Sequence, residues 1–153
     1  IMTKSKTAKA ADKPLIVIGW QEHVDLPLLG LTNLKVKIDT GARTSALHAT
    51  DISKFEKDGE PWVRFHTKFD DDARDTWVES PIHDLREIKN TSGVPEERII
   101  IRTKFRIAGK LWRIDLSLTD RKEMKFRMIV GRTALHARQS HLTEKTITKG
   151  KTR

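Results

Sequence analysis

The run RIIIRTKFRIAGKLWRIDLSL, residues 98–118, limits the possible folds of this chain more than any other. Ile99, Ile101, Thr103, Phe105 and Ile107 fall on one face of an extended chain, and Arg102, Lys104 and Arg106 on the other. After Ala108-Gly109-Lys110 the alternation resumes. Trp112, Ile114, Leu116 and Leu118 face inward, and Arg113, Asp115 and Ser117 outward. A period of two over two such stretches, broken by a glycine turn, is a long β-hairpin with one buried face. A hairpin of this length has to bury its apolar face against further strands.

Those strands are found along the rest of the chain. LIVIGW (15–20) is a short β-branched run and reads as a buried strand. Pro27 and Gly30 then mark a bend or short hairpin. In LKVKID (34–39), Leu34, Val36 and Ile38 oppose Lys35 and Lys37, which predicts a half-buried strand. TSALHATDISKF reads as a turn followed by a strand, and Asp58-Gly59 as a hairpin turn. PWVRFHTKF (61–69) alternates again, TWVESPIHDLREI (76–88) is extended with a break at Pro81, and KNTSGVPEE (89–97) is a polar loop. FRMIV (126–130) is a further strand, and GRTALHARQ (131–139) is the best helix candidate. The class is therefore all-β, a closed or partly closed barrel with one short C-terminal helix. Residues 14–139 form the expected domain, with 1–13 a disordered basic arm. The polar tail 140–153 is disordered or pairs in an oligomer.

Composition narrows the function. The 153 residues carry a net charge of +9, no cysteine and 6% aromatics. Disulfide and thiolate chemistry are excluded. No apolar run nears the roughly 20 residues of a membrane span, and the N-terminal stretch lacks the apolar core of a secretory leader. The expectation is a cytoplasmic protein with no membrane partner. The positive charge is concentrated at the ends. Residues 1–13 hold four Lys and one Asp, and residues 121–153 hold ten Lys/Arg and two Glu, leaving the body between them slightly acidic. A solvated tail explains this better than a nucleic-acid partner does.

Two segments carry chemistry. The strand 34–39 ends in Asp39-Thr40-Gly41-Ala42, and Met128-Ile129-Val130 breaks at Gly131-Arg132 into the helix. In order and spacing these resemble the retropepsins, the single-domain aspartic proteases. IGWQEHVDLPLLG, KIDTGARTSALHA, REIKNTSG and DRKEMKFRMIVGR extend the likeness. From about Ile16 to His136 the chain is similar to a bacterial retropepsin-like family named as ATP-dependent zinc proteases. Its members are often encoded beside ATP-grasp ligases that add amino acids to proteins or peptides. The resemblance implies an acid-protease barrel, with Asp39 catalytic and Thr40 and Gly41 in its loop. In the family the threonine hydroxyls cross-link two such loops beneath the acids. Such an enzyme holds a water between two carboxylates that share one proton. One acts as base toward the water and the other donates to the peptide carbonyl. Gly41 allows the close turn, Gly131 would let the chains pass closely, and Val36, Ile38, Ile129 and Val130 would pack the loop.

The chain supplies only one such acid: Asp75-Thr76 runs into Trp77, and Asp58-Gly59 lacks a hydroxyl. The expected partner is a second copy, in a symmetric homodimer that sets Asp39 against its mate. Arg43 follows Ala42 where retropepsins carry Asp or Ser. The nearest counterpart of their glycine-rich flap is KNTSGVPEE, with Gly93 alone. Arg43 would favour an ionised Asp39, or else belong to a structural ion pair. Ala42, Arg43, Lys89 and Arg132 are the expected substrate-binding residues, with Arg86 extending the basic surface, and an acidic or glutamate-rich peptide is the expected substrate. No metal and no cofactor is expected. His23, His48, His66, His83, His136 and His141 form no His-Glu-x-x-His pattern, although His48 could converge with Asp39 in space, and no phosphate-binding glycine loop is present. The rival readings are a non-catalytic peptide-binding homologue and a basic barrel that stacks RNA on Trp62 or Trp112. No stripe of interleaved aromatic and basic residues supports nucleic acid.

Overall fold

A computed structural model describes residues 18–68, 76–89 and 92–139. The proposed arm 1–13 and tail 140–153 lie outside the described residues. Among the described residues, ten strands and one helix follow in order. They are β1 (Gln21–Leu26), β2 (Leu31–Ile38), β3 (Ser45–His48), β4 (Thr50–Lys57) and β5 (Glu60–Thr67). Then come β6 (Thr76–Pro81), β7 (Asp84–Lys89), β8 (Pro95–Ile107), β9 (Lys110–Thr119), β10 (Met128–Val130) and α1 (Arg132–Gln139). Among the described residues no helix is long and apolar enough to cross a membrane.

The predicted long hairpin is β8–β9, in register from Ile107↔Lys110 to Ile100↔Ser117. Ala108 and Gly109 turn it with φ of 50° and 76°. Both values lie in the left-handed region that a two-residue hairpin turn requires. Phe105, Ile107, Ile101 and Leu116 are buried as the alternation demands. Burying side chains of this size contributes about 1.5–3 kcal/mol each. Ser117, expected to face outward, is buried under Arg98, whose Nη1 donates to its hydroxyl at 3.2 Å.

The hairpin closes a barrel. The strand order β9–β3–β10–β2–β1–β8 returns to β9, so six strands form a ring, and β7 is added along the N-terminal half of β8. The β4–β5–β6 sheet is hydrogen-bonded separately, with its first turn made by Asp58 and Gly59 at φ of 53° and 78°, but it packs Val63, Phe65 and Val78 into the same core. Val24, Val36, Leu47, Met128 and Val130 fill the interior with the hairpin's apolar face.

Several elements differ from expectation. Within 15–20, residues 15–17 lie outside the described residues. Ile18 is buried and Trp20 half exposed, and neither is in a strand. The first described strand instead starts at Gln21 and pairs Gln21↔Lys37 with β2, making the bend at Pro27 the tip of a full hairpin. Pro27–Leu29 is a single 3₁₀ turn closed by Gly30 at φ 73°. The segment after Asp39 forms two strands where one was expected. Ser45–His48 is a central strand between β9 and β10, and it is buried at every position because its outer face is covered as well, by the Gly131 amide on Ser45 and the Arg121 amide on His48. The loop expected over 89–97 is shorter, since β8 begins at Pro95.

Candidate active site

Asp39 sits where three strands meet. β10 is inserted between β2 and β3, parallel to the first (Val130↔Ile38) and antiparallel to the second (Met128↔Leu47). Val36, Ile38 and Val130 are buried, while Ile129 is only half-buried. The Asp39 amide donates to the Val130 carbonyl at 2.8 Å, and the Asp39 carbonyl accepts from the Ala42 amide at 3.1 Å. The carboxylate Oδ1 accepts from the Gly41 amide at 3.0 Å, an Asx turn that fixes the side chain in its own loop. Asp39 is neither buried nor fully exposed. A Cβ on Gly41 would lie 3.2 Å from Oδ1, so this close turn has no room for a side chain without moving the acid.

The next four carbonyls are all held by the start of α1. Arg132 Nη1 donates to the Thr40 and Gly41 carbonyls at 3.2 and 3.1 Å. The Arg132 amide donates to the Ala42 carbonyl at 2.8 Å. The Arg43 carbonyl accepts from the Thr133 amide at 3.0 Å and from its hydroxyl at 2.9 Å. Gly131 makes this approach possible. Its amide donates to the buried Ser45 hydroxyl at 3.0 Å, and a Cβ there would lie 2.7 Å from the Thr44 carbonyl carbon and oxygen. The glycine expected to let the chains pass does so against backbone.

Two further residues belong to this neighbourhood. Arg121 is half-buried, and its Nε and Nη2 donate to the Phe126 carbonyl at 3.2 and 3.1 Å. Burial lowers its guanidinium pKa, and the negative charge of Asp39 opposes that. The acid therefore lies within Coulombic reach of a held cation. The Arg121 amide donates to Nδ1 of His48 at 2.9 Å. His48 is buried and its pKa is lowered, first by that burial and then by Arg127, His66 and Arg121, with Asp120 pulling the other way. Neither residue is marked by a local motif. Arg121 and His48 stand 73 positions apart, and only the barrel joins them.

Among the expected site residues, Asp39, Thr40, Gly41, Ala42 and Arg132 come together. The Arg132 guanidinium braces the loop. Arg43 is exposed and borders a small cavity of about 100 Å³ with Arg86, Asp115 and Thr133. Among the described residues it has no ion-pair partner. Arg86 Nε donates to Asp84 at 2.9 Å. Lys89 ends β7 opposite Pro95, and no described contact joins it to the loop. Zinc does not fit here. His48 Nδ1 already accepts a hydrogen bond, the Arg121 cation is within Coulombic reach of Asp39, and among the described residues no three of His, Cys, Asp and Glu converge. The tryptophans named for stacking are engaged within the fold. Trp112 Nε1 donates to the Ala134 carbonyl at 2.8 Å, and Trp62 lies under the Lys57 ammonium.

Known proteins resemble this chain in sequence and in shape. A "Probable alpha-L-glutamate ligase" of Desulfotalea psychrophila (strain LSv54 / DSM 12343) is 41% identical over 121 residues, 78% of this chain and 26% of the relative. One of Shewanella pealeana (strain ATCC 700345 / ANG-SQ1), with the same name, is 38% identical over the same shares. The chain thus spans about a quarter of the length of the curated relatives it matches. The crystal structure of protein Lpg0085, of unknown function, from Legionella pneumophila superposes with a TM-score of 0.64 at 28% identity. That match covers 78% of this chain and 85% of the other. Residues 17–142 match the RimB-like family model, described as retropepsin-like aspartic endopeptidase RimB. With Asp-Thr-Gly held on a closed barrel and most of its length matched, the chain belongs to the RimB-like family of retropepsin-like aspartic endopeptidases.

Proposed function

We propose that the chain is one half of an aspartic peptidase, completed by a second copy that supplies the other Asp39. The observation that carries this reading is the carboxylate of Asp39, fixed by the Gly41 amide in a loop whose next four carbonyls are all tied to Arg132 and Thr133. Catalysis by positioned carboxylates needs such rigidity, since a misplacement of about 1 Å can lower a rate 10²-fold.

In the dimer one Asp39 is ionised and the other protonated, because two close like charges cannot both persist. The ionised carboxylate removes a proton from the bound water as its oxygen attacks the peptide carbonyl carbon. The protonated one donates to the carbonyl oxygen, giving a tetrahedral diol. Collapse of the diol breaks the C–N bond as one diol hydroxyl returns its proton to the second carboxylate, and the proton first taken from water goes to the departing nitrogen.

The substrate on this reading is an acidic, glutamate-rich peptide. Arg43 and Arg121 give the site a positive field, and Arg43 has no ion-pair partner among the described residues. The matched relatives are named glutamate ligases, and a segment like this chain makes up about a quarter of each. A glutamate-adding enzyme and a peptide-cleaving one joined in a single polypeptide would work on the same material.

The test is hydrolysis of a glutamate-rich peptide by the purified chain and by Asp39→Asn, with sedimentation velocity on both. The expected result is a loss of about 10³-fold or more in kcat for a variant that stays folded, and activity that rises with the dimer fraction. Undiminished cleavage by Asp39→Asn, or full activity in a species that sediments as a monomer, overturns the reading.

A further inference from the structure

One barrel strand is left open along part of an edge. β8 pairs with β9 on one side from Ile100 to Ile107. On its other side β7 reaches only to Ile100, and β1 begins only at Arg106. From Ile101 to Phe105 no strand among the described residues lies against that side. The direction of the unpaired groups follows from alternation. The Ile100 carbonyl accepts from the His83 amide at 2.8 Å, and Arg106 pairs with Asp25, so both turn toward this edge. In an antiparallel ladder the groups facing one edge recur every second residue. The amides and carbonyls of Arg102 and Lys104 therefore face the gap.

A cavity of about 560 Å³ fills the space beside it, walled by Leu28, Trp62, Pro81, Ile82, Arg102 and Thr103, among others. Leu28 is exposed. The Thr103 hydroxyl is the one buried side-chain polar atom among the described residues without a hydrogen-bond partner. Leaving such a group unpaired costs about 1–3 kcal/mol, and Thr103 is 2% exposed.

Neighbouring depressions lead from the cavity toward the loop after Asp39. The cavity shares Arg102 and Arg113 with a second depression, which shares Asp115 and Thr133 with the small cavity beside Arg43. Along this track Arg102 is bound to Asp115 at 2.7 Å and Arg86 to Asp84. Among the described residues Arg43 and Arg113, one toward each end, hold no ion pair. The cavity itself reaches Leu28 and Leu29 in the turn before β2, and Asp39 follows the far end of that strand. Eight residues of strand separate them, about 26 Å.

We propose that this track is a second substrate-binding site, which takes an extended acidic segment of the polypeptide being cleaved. An apolar residue of that segment would lie in the cavity. Its backbone would pair with Arg102 and Lys104, and its carboxylates would meet Arg113 and Arg43. Only an extended peptide matches donors and acceptors repeated along a strand edge. The proposal rests on the peptidase reading for the identity of its ligand, and its test does not need turnover.

The experiment measures binding of a fluorescent glutamate-rich peptide of about a dozen residues with one central leucine, long enough for the track at ~3.3 Å per residue. The protein is the full chain carrying Asp39→Asn, read by anisotropy. Arg113→Glu and Leu28→Glu, both at exposed positions, should each weaken binding about tenfold. Lys122→Glu, exposed and off the track, should leave it unchanged. Binding unaffected by both track variants, equal weakening by Lys122→Glu, or no binding at all overturns the proposal. Failure of the peptidase reading would appear differently, as a parent chain that binds the peptide normally and never cleaves it.

Discussion

The loop after Asp39 and the edge of β8 between Ile101 and Phe105 treat their backbone in opposite ways. In the loop, the carbonyls from Asp39 to Arg43 all accept hydrogen bonds, and the Asp39 amide and Oδ1 are also engaged. In the gap, among the described residues, two successive outward residues lack a neighbouring strand, and the one orphaned buried hydroxyl lies beside them. Buried polar groups are normally satisfied. A saturated loop holds one geometry. An edge without a neighbouring strand leaves its backbone donors and acceptors available to an extended ligand. A peptidase of the kind proposed would need both, one place to fix the acid and another to grip an extended ligand.

The strongest way to break the saturated side is Gly131→Ala. The new methyl would meet the Thr44 backbone at 2.7 Å and the Ala42 carbonyl oxygen at 2.9 Å, and none of these atoms is at the free end of a side chain. We expect a loss of about 3 kcal/mol, at the upper end of overpacking costs, measured by urea denaturation. A loss below about 0.5 kcal/mol, the range of ordinary surface substitutions, would mean that the helix start does not press on the loop as described.

Arg132→Ala is gentler and more informative. The side chain is exposed, so stability should fall by only about 1 kcal/mol. Its guanidinium holds the Thr40 and Gly41 carbonyls. A brace lost from the catalytic loop should lower kcat about tenfold with KM little changed. A direct substrate contact, as the charge of Arg132 alone suggests, would raise KM and leave kcat in place. Steady-state kinetics on the glutamate-rich peptide separates the two roles.

What could be read from the sequence depended on whether the signal was local. The β8–β9 hairpin was legible because a period of two and a turn glycine are local, and Gly131 because a glycine between a strand and a helix invites a close approach. Ser45–His48 was not, since a strand enclosed by neighbours on both edges and buried at every residue shows no alternation. Gln21–Leu26 was missed because only Val24 and Leu26 are buried, too few to mark a strand. Arg121 and His48 meet only through the closed ring. Arg132 was legible as a charge, but its targets are main-chain oxygens, which no residue type reveals. The gap in β8 arises from where two other strands stop and start, and nothing in RIIIRTKFRI indicates it.

The smallest expected effect tests the unsaturated side. Thr103→Val keeps the shape and replaces the unpaired hydroxyl with a methyl. If nothing in the free protein satisfies that oxygen, its removal relieves a desolvation penalty, and stability should rise by about 1 kcal/mol. The same change should weaken binding of the acidic peptide several-fold, because the hydroxyl then has no bond to offer the ligand. Gly131→Ala and Arg132→Ala should both lower stability, while Thr103→Val should raise it at the expense of binding. A drop in stability for Thr103→Val would mean that the hydroxyl is already satisfied in the free protein, and the contrast between the two regions would then reduce to their exposure alone.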